Sequence, residues 1–209
     1  MISHAHKTVF VHIPKCGGQS IEAAFLQDLG LNWKERAALL LRPNDVPSLG
    51  PPRLAHLLAR DYVALHYLSA DLFERYFTFA IVRSPVARVL SSCNYLGHKK
   101  SLSHFVQHRL ARAFEERDPF TGDFYFLRPQ VDYLNDAGGA ALLDRVYRLE
   151  ELDGARDEIA ARSGLATPIP HNNRSTPTAA QADLTQDDLA VIHALYKEDF
   201  DVLGYRATL

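Results

Sequence analysis

Sulfur is scarce in this sequence: its 209 residues include two cysteines and one methionine. Two thiols, Cys16 and Cys93, are too few for a disulfide framework or a four-thiolate zinc site. A reducing compartment follows as the default. Long apolar runs are also missing. The longest, at residues 39–41 and 79–82, fall far short of the roughly 20 residues a spanning helix needs. After Met1 the chain passes through His4, His6 and Lys7 without the apolar core of a secretory signal. The expectation is a soluble, cytoplasmic protein with no transmembrane segment. Net charge is small as well, −2 at neutral pH, which excludes an obvious polyanion binder. Its positive residues are scattered and lack the aromatic-basic interleaving of an RNA-recognition surface, so no nucleic-acid partner is expected.

What is present suits a sizeable core. Hydrophobic residues make up 47% of the chain and charged residues 23%, which reads as a single domain over residues 1–209. The small net charge conceals a division: residues 1–100 carry 12 Lys and Arg against 7 Asp and Glu, whereas 101–209 carry 11 against 18. Such asymmetry can place an anion site in the basic half.

Hydrophobic patterning predicts strands at 7–13, 61–66, 77–82 and 145–149. Helical spacing covers 20–29, 54–58, 72–76, a helix opened by Pro85, 101–116, 130–134, 150–162 and a terminal helix at 185–200. Pro-rich or polar loops fall at 43–52 and 167–178. Strands alternating with helices imply an α/β fold, a parallel sheet with helices on both faces.

Two strand ends carry anion-binding chemistry. The segment His12-Ile13-Pro14-Lys15-Cys16-Gly17-Gly18-Gln19-Ser20 lies between a strand and a helix. Its two glycines let backbone approach an anion, the helix directs N–H groups at it, Lys15 adds charge and Ser20 a hydroxyl. It is not a Walker A loop, because its lysine precedes the glycines; a tight turn with an exposed lysine is the other reading. Arg83 follows the most apolar strand, where open α/β sheets bind ligands. Ser91 stands six residues beyond Pro85, about 9 Å along the helix, so arginine and serine can hold one phosphate beside it. Alone, this segment also reads as a capped surface helix, and Arg88 reads as a surface or structural arginine.

H-I-P-K-C-G-G-Q-S resembles the 5′-phosphosulfate loop of sulfotransferase family 2, the carbohydrate-type sulfotransferases. F-A-I-V-R-S-P-V-A-R-V-L-S is similar to that family's 3′-phosphate motif. Gln130-Val131-Asp132-Tyr133-Leu134, R-L-E-E-L, H-N-N-R-S and Y-K-E-D-F-D-V-L-G-Y fit as well, so the resemblance runs from about residue 7 to 205. It implies a P-loop NTPase-like sheet flanked by helices, the cofactor 3′-phosphoadenosine 5′-phosphosulfate (PAPS), and transfer of a sulfuryl group to a hydroxyl, with a saccharide as acceptor. Carried over by motif, Lys15, Cys16, Gly17, Gly18, Gln19 and Ser20 hold the 5′-phosphosulfate, Arg83 and Ser91 the 3′-phosphate, and Asn173, Arg174 and Ser175 close on the nucleotide. Cys16 and Gln19 replace threonines common in the family, and the membrane anchor of its Golgi members is absent.

In-line transfer needs charge neutralised on the leaving phosphate and a proton removed from the acceptor. Lys15 serves the first. For the second a histidine suits, with an ordinary pKa near 6.5. His66, at the end of the expected strand 61–66, resembles the family's base. His12 reads as orienting the loop, and His171 lies in the late loop. His104 and His108 have a spacing that can bind metal, but no H-E-x-x-H pattern accompanies them, so no metal is expected. Glu150 and Glu151 suit a helix N-terminus, while Asp187, Asp188, Glu198, Asp199 and Asp201 read as a solvated face. Residues 33–52 and 95–123, with Lys99, Lys100, Arg109 and Arg112, are the candidates to line the acceptor. Two other functions fit less closely: a nucleotide-dependent kinase, which lacks its G-K-[ST], and a non-catalytic nucleotide-binding protein.

Overall fold

The computed structural model describes residues 1–170 and 183–206. In chain order its elements begin with β1 (Ile2–Ser3), β2 (Thr8–Val11), α1 (Gly18–Asp28), α2 (Asp61–Ala64), α3 (Ala70–Arg75), β3 (Phe77–Val82) and α4 (Pro85–Tyr95). They continue with α5 (Leu102–His104), α6 (Ala111–Glu116), α7 (Phe124–Leu127), α8 (Val131–Leu134), β4 (Arg145–Arg148), α9 (Leu152–Ser163), α10 (Gln186–Leu195) and α11 (Lys197–Leu203). A π-helical turn, Phe105–Leu110, joins α5 to α6. Two compact units result: among the described residues, the first comprises 1–82 and 133–170, the second 83–132 and 183–206.

In the first unit the four strands lie in the order β1-β2-β3-β4. β2, β3 and β4 run parallel, while β1 pairs antiparallel with β2. The sheet is therefore mixed where alternation predicted a wholly parallel one; a two-residue strand is too short to leave a periodic signal. Every residue of β2 and β3 is buried, as their continuous apolar runs require. Phe10 and Phe79 meet across the pair at 4.9 Å between ring centroids. Asp144 fixes the register of β4, accepting from the Thr78 N–H at 2.8 Å and its hydroxyl at 3.1 Å. Ile21, Ala24 and Phe25 form the buried stripe of α1.

The expected strand at 61–66 is a helical turn instead. β2 already has β1 and β3 on its two sides. Asp61 begins the turn, its carboxylate accepting from Leu58 N at 3.2 Å and its carbonyl from Leu65 N at 3.0 Å. Tyr62 is wholly buried, while Ala64 and His66 are exposed.

The second unit packs Val86, Val89 and Cys93 of α4 with Phe105, Val106 and Leu110, and adds Phe114, Phe124, Ile192, Tyr196 and Phe200. Phe114 sets its ring edge-on to Phe124 and to Tyr196. The terminal helix expected at 185–200 is two, α10 and α11, broken at Tyr196, whose hydroxyl donates to Leu127 O at 2.6 Å. Its acidic face is not uniformly solvated. Asp187, Glu198 and Asp201 are exposed, but Asp188 and Asp199 are fully buried because each satisfies several donors. Asp188 and Thr185 form a reciprocal cap at the start of α10, and the other Asp188 oxygen accepts from Ser103 and Gln107.

Candidate functional site

β2, β3 and β4 end at one edge of the sheet, where an open α/β fold presents its ligands. Residues 12–17 leave β2 there and turn sharply into α1. Lys15 and Gly17 are left-handed, with φ of 67° and 79°, a conformation that costs a lysine about 1–2 kcal/mol. Cys16 N donates to Ile13 O and Ser20 N to Gly17 O, both at 3.3 Å. The buried Cys16 thiol turns inward to Pro14 O at 3.6 Å. Gly17 occupies the N-cap position and offers no side chain to cap the first turn of α1. Gly17 and Gln19 are exposed, Lys15 half-buried and Ser20 buried.

Both glycines are required by the protein's own packing. A Cβ on Gly17 would stand 2.6 Å from Leu149 Cδ1, and one on Gly18 would stand 2.3 Å from both Cδ2 and Nε2 of His12. The space that the sequence reserves for a close-approaching anion is thus filled on its inner side by Leu149 and His12. His12 Nδ1 donates to Glu22 Oε1 at 2.5 Å, and both residues are buried. His56 sets its ring edge against His12 at 4.7 Å and donates through Nδ1 to the His12 carbonyl at 2.9 Å. Burial, reinforced by His12, pushes the His56 pKa well below the ordinary histidine value. A neutral imidazole therefore supports the base of the loop, and His12 has the orienting place its position suggested.

In the second unit Arg83 opens the segment leading into α4, where Pro85 occupies the first turn. A buried side chain holds the arginine's backbone at both ends. Gln130 Oε1 accepts from Arg83 N, and Gln130 Nε2 donates to Arg83 O, each at 2.8 Å. Asp199 then holds Gln130: its Oδ2 accepts from Gln130 N at 2.9 Å and Nε2 at 3.2 Å, while Oδ1 accepts from Val131 N at 3.0 Å. Burial raises the Asp199 pKa, against the pull of Arg88 and these donors. Arg83 is half-buried, and Ser91 is half-buried further along α4. Arg88 is structural: it is 2% exposed and donates to the carbonyls of Arg128 and Phe126 at 2.8 and 2.9 Å.

Lys15 to Ser20 thus share one turn of the first unit, and Arg83 and Ser91 lie on one strand-to-helix segment of the second. His66 does not end a strand. It follows α2 in the left-handed region, with φ 60°, and its side chain is exposed. His171, Asn173, Arg174 and Ser175 lie outside the described residues. Of the candidates to line the acceptor, Arg109 is bound to Asp123 at 2.5 and 3.1 Å, Arg112 is exposed and pairs with Glu116 at 2.6 Å, and Lys99 and Lys100 are exposed. Glu22, Leu149 and Asp199 escaped sequence reasoning as contributors. Only the spacing of Glu22 from His12, placing it on the first helix facing the loop, carried a signal.

Among the described residues no group of three or more His, Cys, Asp or Glu forms a metal-ligand set, and no helix is long and apolar enough to cross a membrane. Comparison with curated proteins and with solved structures gave no match. Residues 1–122, which contain both the loop after β2 and the Arg83 segment, match the model of the family described as Sulfotransferase family. With more than half of its length so matched, the chain belongs to the sulfotransferase family.

Proposed function

We propose that this protein transfers a sulfuryl group from PAPS to a hydroxyl of a saccharide acceptor, with a histidine as base. Membership of the sulfotransferase family supports sulfuryl transfer in general; the donor, the acceptor class and the base are our reading. The observation that carries it is the turn at 12–20. Its glycines are closed from within by His12 and Leu149 while Gly17 and Gln19 remain exposed. Such a turn fits a phosphosulfate resting on backbone N–H groups at the start of α1.

In this reading PAPS supplies the sulfuryl group and a phosphate leaving group. Lys15 neutralises the charge that develops on the leaving oxygen, and Ser20 and the N–H groups of α1 hold the phosphosulfate. Arg83 and Ser91 take the 3′-phosphate, with Asn173, Arg174 and Ser175 closing on the nucleotide. His66, whose imidazole is exposed, accepts the proton of the acceptor hydroxyl as its oxygen bonds to sulfur. His12 and His56 are enclosed by the loop and by each other, which leaves them to orient rather than to exchange protons with an acceptor.

Titration calorimetry of the whole chain with 3′,5′-bisphosphoadenosine, and separately with ATP and magnesium, tests the donor. Preference for the bisphosphate is expected, and preference for ATP with magnesium would instead support a kinase. Transfer of labelled sulfate to a panel of hydroxyl acceptors tests the reaction. Lys15→Ala, Arg83→Ala and His66→Ala should each lower it by about a hundredfold or more. A fully active His66→Ala protein would remove that residue as base.

A further inference from the structure

Three histidines gather in the second unit. His98 and His104 stack with ring centroids 5.3 Å apart, and His104 and His108 lie at 4.5 Å. The segment carrying His108 is the π-helical turn, a geometry less favourable than α-helix that recurs at functional positions. Behind them the fully buried Phe105 sets its ring edge-on to His98 at 5.3 Å.

The hydrogen bonds assign a tautomer. Lys100 Nζ lies 3.0 Å from His104 Nε2. An ammonium only donates, so Nε2 accepts and the His104 proton sits on Nδ1. That Nδ1–H is buried and meets nothing but the carbonyl of its own residue among the described residues, and His98 Nε2 is buried with no partner there at all. Two orphaned ring nitrogens in one cluster are costly unless a ligand or water satisfies them.

The charged groups acting on the two rings are cationic. The groups acting on His98 are Arg109 and Lys100, and those acting on His104 are Lys100, His108 and His98. The carboxylates of the neighbouring elements are turned to other partners or to solvent. Asp123 is held by Arg109, Glu116 by Arg112, Asp118 by the N–H groups of Phe120 and Thr121, and Asp188 by Ser103 and Gln107. Glu115 and Asp187 are exposed on α6 and α10.

We propose that His98, Lys100 and His104 form a site for a tetrahedral oxyanion, a sulfate or phosphate or an ester of one. The two orphaned ring nitrogens donate to its oxygens and Lys100 contributes charge through the ammonium protons that His104 leaves unused. The site is built within the second unit and does not depend on the sulfuryl-transfer reading. Desolvation, together with the surrounding cations, lowers the pKa of both rings, so the unliganded pair is neutral at pH 7. A bound anion favours the protonated form of His98, while His104, its Nε2 accepting from Lys100, donates as the neutral ring through Nδ1–H; by linkage the affinity rises as pH falls.

Imidazole NMR of the full chain tests this, with inorganic sulfate titrated at about pH 5.5 and about pH 7.5, ionic strength being held by chloride. The His98 and His104 resonances should shift together and saturate, with affinity about tenfold or more higher at the lower pH, and Lys100→Ala should weaken binding by about tenfold. Lys100 is exposed, so its replacement should leave thermal unfolding unchanged. Sulfate binding near residues 12–20 would be read separately, at His12 and His56. A repeat with glucose 6-sulfate identifies the source: a response equal to that of sulfate means an ester group on a larger molecule is accepted, and a response to sulfate alone means a free dianion. Shifts no larger than chloride produces, or binding indifferent to Lys100→Ala, would overturn the proposal.

Discussion

Gly18→Ala is the sharpest test of how the loop is built. The new Cβ would stand 2.3 Å from Cδ2 and Nε2 of His12 and 2.7 Å from its Cγ. The imidazole has little room to retreat: Glu22 holds Nδ1 at 2.5 Å, and Phe10 and His56 pack against the ring at 5.6 and 4.7 Å. Overpacking of this kind costs about 1–3 kcal/mol. If the ring is driven off Glu22, a buried hydrogen bond to a charged group goes with it, about 1.5–3 kcal/mol more. A total near 3 kcal/mol would lower the melting temperature of a chain this long by roughly 6–12 °C. Urea unfolding of wild type, Gly18→Ala, His12→Ala and the double variant closes a double-mutant cycle. Once the imidazole at position 12 is gone, the methyl added at position 18 has space, so the second substitution should cost little, giving a coupling of about 2 kcal/mol. Wild-type stability in Gly18→Ala, or additive effects in the double variant, would refute the claim that His12 fills the glycine's vacant side.

Two further expectations concern carboxylates that hold several donors. Asp28 accepts from His6 Nε2 at 2.9 Å and from the N–H groups of Ala166 and Thr167 at 2.9 and 2.7 Å; led by His6, these bonds lower its pKa to about 2. A depressed folded-state pKa stabilises the protein above the unfolded value of 3.8, and the benefit is lost as pH falls through about 2. The stability advantage of wild type over Asp28→Asn should therefore be full near neutrality and shrink below about pH 4 in denaturant unfolding; an advantage that grows there would contradict the assignment. Asp199→Ala strips the acceptors from Gln130 and Val131, and should destabilise by about 2–4 kcal/mol. Because Gln130 grips both backbone groups of Arg83, the proposed 3′-phosphate role of Arg83 requires the same variant to weaken bisphosphoadenosine binding well before it unfolds, which calorimetry against thermal melting will separate.

The legible parts of the chain share a physical cause. Residues 77–82 are apolar throughout because the central strand is covered on both faces, and that pattern alone places β3 with its observed bounds. Residues 18–28 repeat Ile21, Ala24 and Phe25 at helical spacing because one face of α1 is buried. Between β2 and α1 the string of glycines, lysine and serine exposes the turn. By contrast, D-Y-V-A-L-H has the composition of a strand but not its place. The segment instead turns helically around the buried Tyr62, whose hydroxyl donates to Phe10 O at 3.2 Å, and no local pattern records that distant partner.

By itself the sequence determined β2, β3 and β4, most of the helices between them and the two strand-to-helix motifs, since each is written in neighbouring residues. Tertiary structure decided what those residues face. It put His12 into the space beside Gly18, drew Asp199 beneath Gln130 and Arg83, buried Asp188 at the start of α10, and paired Arg109 with Asp123. The reason is range. Backbone periodicity is set by contacts a few residues apart, whereas the partner of Gln130 lies 69 positions away in Asp199, and only the folded chain brings a buried charge to the donors that offset its desolvation.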